Sequence, residues 1–62
     1  MYLTDEVTKL PFAINPKYVV GVFVASDDEH KGKTVLSMIN GSFLVEEDQM
    51  SVVGRLNGEI ND

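Results

Sequence analysis

The run Tyr18-Val19-Val20-Gly21-Val22-Phe23-Val24-Ala25 carries no charged side chain and is apolar on both of its alternating faces. Its β-branched and aromatic residues suit extended, pleated backbone, so the run reads as a strand. In a regular strand Val20, Val22 and Val24 share one side, and Val19, Phe23 and Ala25 share the other. Both faces then need covering, in a chain of only 62 residues. A domain of that length buries only about 60% of the surface its unfolded chain exposes. The strand therefore points to a second copy of the chain. Val20, Val22, Val24 and Phe23 are the expected interface residues of a homo-oligomer, with a dimer as the simplest form.

The other elements follow from local signals. Leu10-Pro11-Phe12-Ala13-Ile14 reads as a short strand, placed on an edge because Pro11 has no N–H to give a ladder. The first nine residues show no clean period. Asn15-Pro16 marks a turn, since the residue before proline is pushed out of the helical region. Ser26 to Lys33 is a polar, charged loop with a glycine near its end. Thr34–Ile39 and Ser42–Glu46 flank Asn40-Gly41, the favoured pair for a two-residue type I′ hairpin. That turn predicts Ile39 opposite Ser42, Met38 opposite Phe43 and Leu36 opposite Val45, with the last four residues on one face. From Glu47 the period changes. Val52, Val53, Leu56 and Ile60 recur at helical spacing behind Glu46, Glu47 and Asp48, where acids suit the helix dipole. Asn57-Gly58 predicts a stop, giving a helix of about nine residues that needs the sheet for support.

Composition narrows the function classes. The chain has 10 acidic and 5 basic residues, one His, no Cys and no Trp, for a formal net charge of −5. That balance argues against direct nucleic-acid binding, which calls for clustered Lys and Arg. A hydrophobic fraction of 44% supports a folded domain. Without cysteine there is neither a disulfide nor a thiolate zinc site. Asp5 and Glu6 stand where a signal peptide carries positive charge, and no apolar run approaches the roughly twenty residues of a membrane helix. The expectation is a cytoplasmic protein with no membrane partner.

No motif names a reaction. Gly32-Lys33-Thr34 looks like the end of a phosphate-binding loop, but position 27 is Asp and a strand follows the lysine. Asp27, Asp28, Glu29 and His30 are possible metal ligands, yet Lys31 and Met38 stand where a calcium loop needs oxygen donors. His30 has no thiol partner, and Ser26, Ser37, Ser42 and Ser51 lack the setting of a hydrolase nucleophile. No catalytic, metal or cofactor residue is expected. The acids form two clusters, Asp27-Asp28-Glu29 and Glu46-Glu47-Asp48. Their ordinary role is solubility; their sharper one is an acidic surface that imitates nucleic acid.

From Ile14 onward the chain resembles the small FlbD-like flagellar proteins. The shared features are Ile14-Asn15-Pro16, a two-sided strand, a polar loop, a strand ending in Asn40-Gly41, then Phe43-Leu44-Val45-Glu46 and an amphipathic helix. More distantly it resembles the strand-hairpin-helix order of LytTR-type DNA-binding domains. The Ser26–Lys33 loop is longer than the family's turn, and the basic residues that would contact DNA are missing. The resemblance implies a non-enzymatic accessory that binds other proteins.

Together these readings predict one small domain over residues 1–62. It is α+β and mostly β, a small antiparallel sheet or open barrel of three or four strands with one short C-terminal helix. Val52, Val53 and Leu56 are expected against Leu36, Met38, Phe43 or Val45. The expected function is a non-enzymatic protein-interaction or structural accessory module, of a bacteriophage or bacterium by its size and acidity. The alternative is an acidic nucleic-acid mimic that inhibits a host DNA- or RNA-handling protein.

Overall fold

The computed structural model of the chain describes residues 1–61, with side chains through residue 58. Along it run β1 (Tyr2–Thr4), β2 (Pro11–Ala13), a single 3₁₀ turn (Pro16–Tyr18), β3 (Val19–Val24), β4 (Thr34–Met38), β5 (Gly41–Val45) and α1 (Gln49–Asn61). The fold is α+β with strand predominating. Its main sheet is antiparallel in the order β3-β4-β5 and open, and β1 and β2 form a second antiparallel ladder.

The two ladders meet at Asp5, which bridges to Val45. The Glu46 N–H donates to the Thr4 carbonyl at 2.9 Å, and the Glu6 N–H donates to the Leu44 carbonyl at 3.0 Å. β1 was not legible in the sequence. Its three residues are too few for a period, yet it places Leu3 in the core at 1% exposure. β2 is the short proline-led strand expected around Pro11, pairing Pro11, Phe12 and Ala13 with Thr4, Leu3 and Tyr2.

One face of the main sheet carries the core. Leu3, Leu36, Val45, Val52 and Leu56 are buried together, with Phe12, Ile14, Val19, Val22 and Met38 packed around them. The expected contact of Val52 and Leu56 with Leu36 and Val45 is present, and Val53 is half-buried. Phe43 lies at the margin, tilted against Phe12 with ring centroids 5.7 Å apart.

Three expectations change. The hairpin exists, but Met38 pairs with Gly41, Ser37 with Ser42 and Leu36 with Phe43. Ile39 and Asn40 are thus the loop residues, and neither takes the positive φ that a type I′ turn demands. Gly41 alone does, at φ 147°, as the first residue of β5. The slip is by two residues, so the same side chains still face the core, and burial does not oppose it.

The second change is in β3, where the register with β4 breaks between Val19 and Gly21. Val20 is the extra residue of this bulge, which reverses the phase of the strand. Val19 and Val22, three apart, therefore both pack on the core, while Val20 is 67% exposed. Val20, Val22 and Val24 do not form one continuous face. Tyr18 belongs to the preceding 3₁₀ turn, which Asn15 caps by accepting the Lys17 N–H at 3.0 Å.

The third change is in the helix, which runs 13 residues and passes through Asn57-Gly58. Asp48 caps its start, its Oδ1 accepting the Ser51 N–H at 3.0 Å. Gly58 does not take the left-handed conformation of a helix stop. Burial of Val52 and Leu56 outweighs the weak helix propensity of two glycines, which costs about 1 kcal/mol at each. Ile60, the last apolar position of the expected helical face, lies outside the described side chains. Gly54 has open space where a Cβ would stand. Gly54→Ala is expected to stabilise the fold by about 0.5–1 kcal/mol, read as a melting temperature raised by several degrees. A lowered melting temperature would contradict the helix assignment there.

Candidate interaction surface

The residues expected to form an interface converge on β3. With the core claiming Val19 and Val22, the rest of the strand is left outward: Val20, Phe23 and Val24 are 67%, 55% and 49% exposed. Phe23 lies opposite Val35, and Val35 opposite Leu44, giving an apolar row across the sheet face that α1 does not cover. The Phe23 ring folds back over Gly21, where a Cβ would sit 2.8 Å from Phe23 Cζ. Gly21 is therefore needed for the ring's position, because any side chain there pushes the ring off the sheet. The hairpin tip adds Ile39, 69% exposed, whose N–H donates to the Tyr18 carbonyl at 3.1 Å.

β3 is also an edge strand, paired only with β4. Beyond it, the Ala25 N–H donates to the Lys33 carbonyl at 2.9 Å and the Ala25 carbonyl accepts the Gly32 N–H at 3.0 Å. Backbone groups alternate in direction along an antiparallel strand, so Val22 and Val24 present theirs to the free side. The Val22 carbonyl bears this out by accepting Gln49 Nε2 at 3.0 Å from the start of α1.

The six acids of the two clusters divide by role. Asp27, Asp28 and Glu29 are exposed on the loop after β3. The other three are engaged within the fold. Glu46 pairs with Lys9 at 2.9 Å. Glu47 accepts the Thr4 N–H at 2.9 and 3.1 Å and the Thr4 hydroxyl at 3.0 Å. Asp48 caps the helix, and its hydrogen bonds from Ser51 hold its carboxyl below the ordinary range. Burial pushes the Glu47 carboxyl up, but the Thr4 hydrogen bonds, its own backbone N–H and the Arg55 charge together leave the group lowered.

Most basic residues are engaged as well. Glu6 receives Lys33 at 2.9 Å and Lys9 at 3.2 Å, and both contacts lower its carboxyl. Arg55 Nη2 donates to the Tyr2 carbonyl at 2.6 Å. Neither Lys33 nor Arg55 is thus free to build a basic face. Sequence reasoning missed Glu6, Lys9 and Thr4 as anchoring residues, because their partners lie up to 43 positions away.

A small cleft of about 180 Å³ is lined by Phe12, Ile14, Tyr18, Met38 and Phe43 with Asn40. Ligand pockets usually run from about 300 Å³ upward. Among the described residues no cluster of three or more His, Asp or Glu side chains is placed to hold a metal ion. Among the described residues no helix is long and apolar enough to cross a membrane. Comparison of the chain with protein-family models, with curated proteins and with solved structures returned no match.

Proposed function

We propose that this chain is a non-catalytic protein-interaction module that assembles with itself, as a dimer in the simplest case, through the apolar surface around β3. The exposure of Val20, Phe23 and Val24 on one uncharged edge strand carries the reading. Phe23 and Val24 point to opposite faces, so the exposed apolar surface wraps around this edge of the sheet, and apolar surface left open on so small a domain marks an interaction site. The acidic-mimic reading needs a continuous acidic face, and although Glu46 and Asp48 are exposed, Glu46 is paired with Lys9 and Glu47 is turned to Thr4.

Sedimentation velocity tests the proposal. The expected result is a species of twice the 6.9 kDa chain mass at micromolar concentration, somewhat weakened but still present in high salt. A monomer at every concentration would remove the reading. A complex that forms only at low salt would return the argument to charge and to the acidic loop.

A further inference from the structure

We infer that two copies of this chain join edge to edge, the free edge of β3 pairing antiparallel with the same edge of the second copy to make one continuous six-stranded sheet. This rests on the reading of the β3 region as a self-association surface and specifies how the surface works.

The first ground is the edge itself. Val22 and Val24 present backbone N–H and C=O groups away from β4, a ready template for another strand. Two devices that blunt such edges, charge and proline, are lacking, and the start of α1 reaches this edge beside Val22 through Gln49. From Val19 to Val24 there is no charge and no proline. The one irregularity, the bulge at Val20, lies at the start of the strand and leaves Val22 and Val24 regular. Gln49 Nε2, on the Val22 carbonyl, fills the place a second strand's N–H would take. A flexible side-chain amide is readily exchanged for a main-chain donor.

The second ground is charge, and it selects both partner and direction. Lys17 precedes β3, and Asp27, Asp28 and Glu29 follow it. Lys17 has no ion pair among the described residues, and the three acids are exposed. An antiparallel pair with its two-fold axis near Val22 sets the end of each β3 that leads into Asp27, Asp28 and Glu29 toward the partner's opposite end, where the 3₁₀ turn carries Lys17. The ends of the strand are thus complementary to themselves, twice per dimer. Parallel pairing would set the acids of one copy against those of the other. For a chain of net charge −5 that repulsion decides the direction.

Val24→Pro tests the mode. The Val24 N–H faces the free side, so proline removes no bond to β4 but denies the second strand a donor. Association is expected to weaken at least about tenfold, from the lost hydrogen bonds and the ring's bulk. In the unmodified chain the Val22 and Val24 amides should be protected from hydrogen exchange at high concentration and lose that protection on dilution. A second pair of variants does not depend on proline being accommodated. Lys17→Glu should weaken the dimer, and adding Asp27→Lys to it should restore association.

A dimer that survives Val24→Pro with those amides unprotected would overturn edge pairing and leave the apolar-surface reading standing. A dimer indifferent to Lys17→Glu would overturn the antiparallel register. A chain that stays monomeric at every concentration would overturn both the inference and the reading beneath it.

Discussion

Leu36→Ala is expected to remove about half or more of the fold's stability, bringing its urea midpoint far down. Leu36 is fully buried in the central strand, with Val22 and Phe43 opposite it on the flanking strands. Val52 and Leu56 from the helix belong to the same buried cluster. Removing a buried leucine side chain costs about 2–5 kcal/mol, the upper part of that range where the site cannot collapse. A central strand held on both sides and capped by a helix is such a site. At roughly 0.05–0.15 kcal/mol per residue, a domain this short has about 3–9 kcal/mol in total. The loss is therefore a large fraction of what the fold has. Urea titration followed by circular dichroism measures it, and Leu36→Met serves as control, since a volume-conserving change should cost less than about 1.5 kcal/mol. An alanine variant as stable as the parent would mean that Leu36 is not the centre of the core. Because self-association adds stability by mass action, the comparison has to be made at one protein concentration.

Glu47→Ala is expected to release β1 from the body of the domain. Glu47 stands just before α1 and accepts from both donors of Thr4, the backbone N–H, shared between its two carboxylate oxygens, and the hydroxyl. Through them the segment leading into the helix holds the strand that carries Leu3. Hydrogen bonds to a charged acceptor are each worth about 1.5–3 kcal/mol, and their loss leaves the Thr4 N–H short of a partner. We expect a total loss of about 2–3 kcal/mol, the bonds not being additive. Faster amide exchange at Leu3 and Thr4 than at Leu36 should accompany it. No change in exchange at Leu3 would show that Asp5 and the Leu44 and Thr4 carbonyl contacts hold β1 without it.

The same group makes acid sensitivity predictable. Its carboxyl is lowered from an ordinary value of 4.5, so the folded state binds its proton less readily than the unfolded state. A lowered carboxylate contributes stability above its unfolded value, and that stability is lost as the pH falls through the folded value. Glu6, lowered from 4.5 by Lys33 and Lys9, acts in the same direction. Asp48, lowered from 3.8 by Ser51, and Asp5, lowered from 3.8 by the Thr8 and Val7 N–H groups, do likewise. The melting temperature should therefore hold steady from neutrality down to about pH 5 and fall below pH 4.5, the parent more steeply than Glu47→Ala. Parallel acid curves for the two proteins would contradict the role given to Glu47.

Much of the architecture is written in local pattern. The apolar run at Val19–Val24 and the Pro11–Ala13 strand are short-range signals. So are the hairpin around Asn40 and the amphipathic helix behind Asp48. All reflect side-chain periodicity and capping chemistry, which act within a few residues. Those signals put Leu36, Val45, Val52 and Leu56 in one core and marked Val20, Val22, Val24 and Phe23 as surplus apolar surface, of which the fold takes Val22 into the packing around the core. The candidate site was legible to that extent.

Tertiary structure decided the rest, because the interactions responsible join distant parts of the chain. β1 exists through pairing with β2 and the bridge from Asp5 to Val45, neither of which leaves a mark in three residues. The bulge at Val20 arises where the strand must turn both Val19 and Val22 to the core, and period-two reasoning has no place for it. The hairpin moved by two residues because that slip keeps each side chain on its own face, so turn preference alone had to choose and lost. The helix passed its stop signal because packing of Val52 and Leu56 exceeds the cost of two glycines. Even the acids were sorted in this way. Sequence places Glu46, Glu47 and Asp48 side by side, and only the folded chain turns them to Lys9, Thr4 and the helix start. Local pattern determined which elements form and which faces are apolar. Long-range pairing decided their register, their length and which apolar residues remain for a partner, since those depend on contacts that the order of residues does not contain.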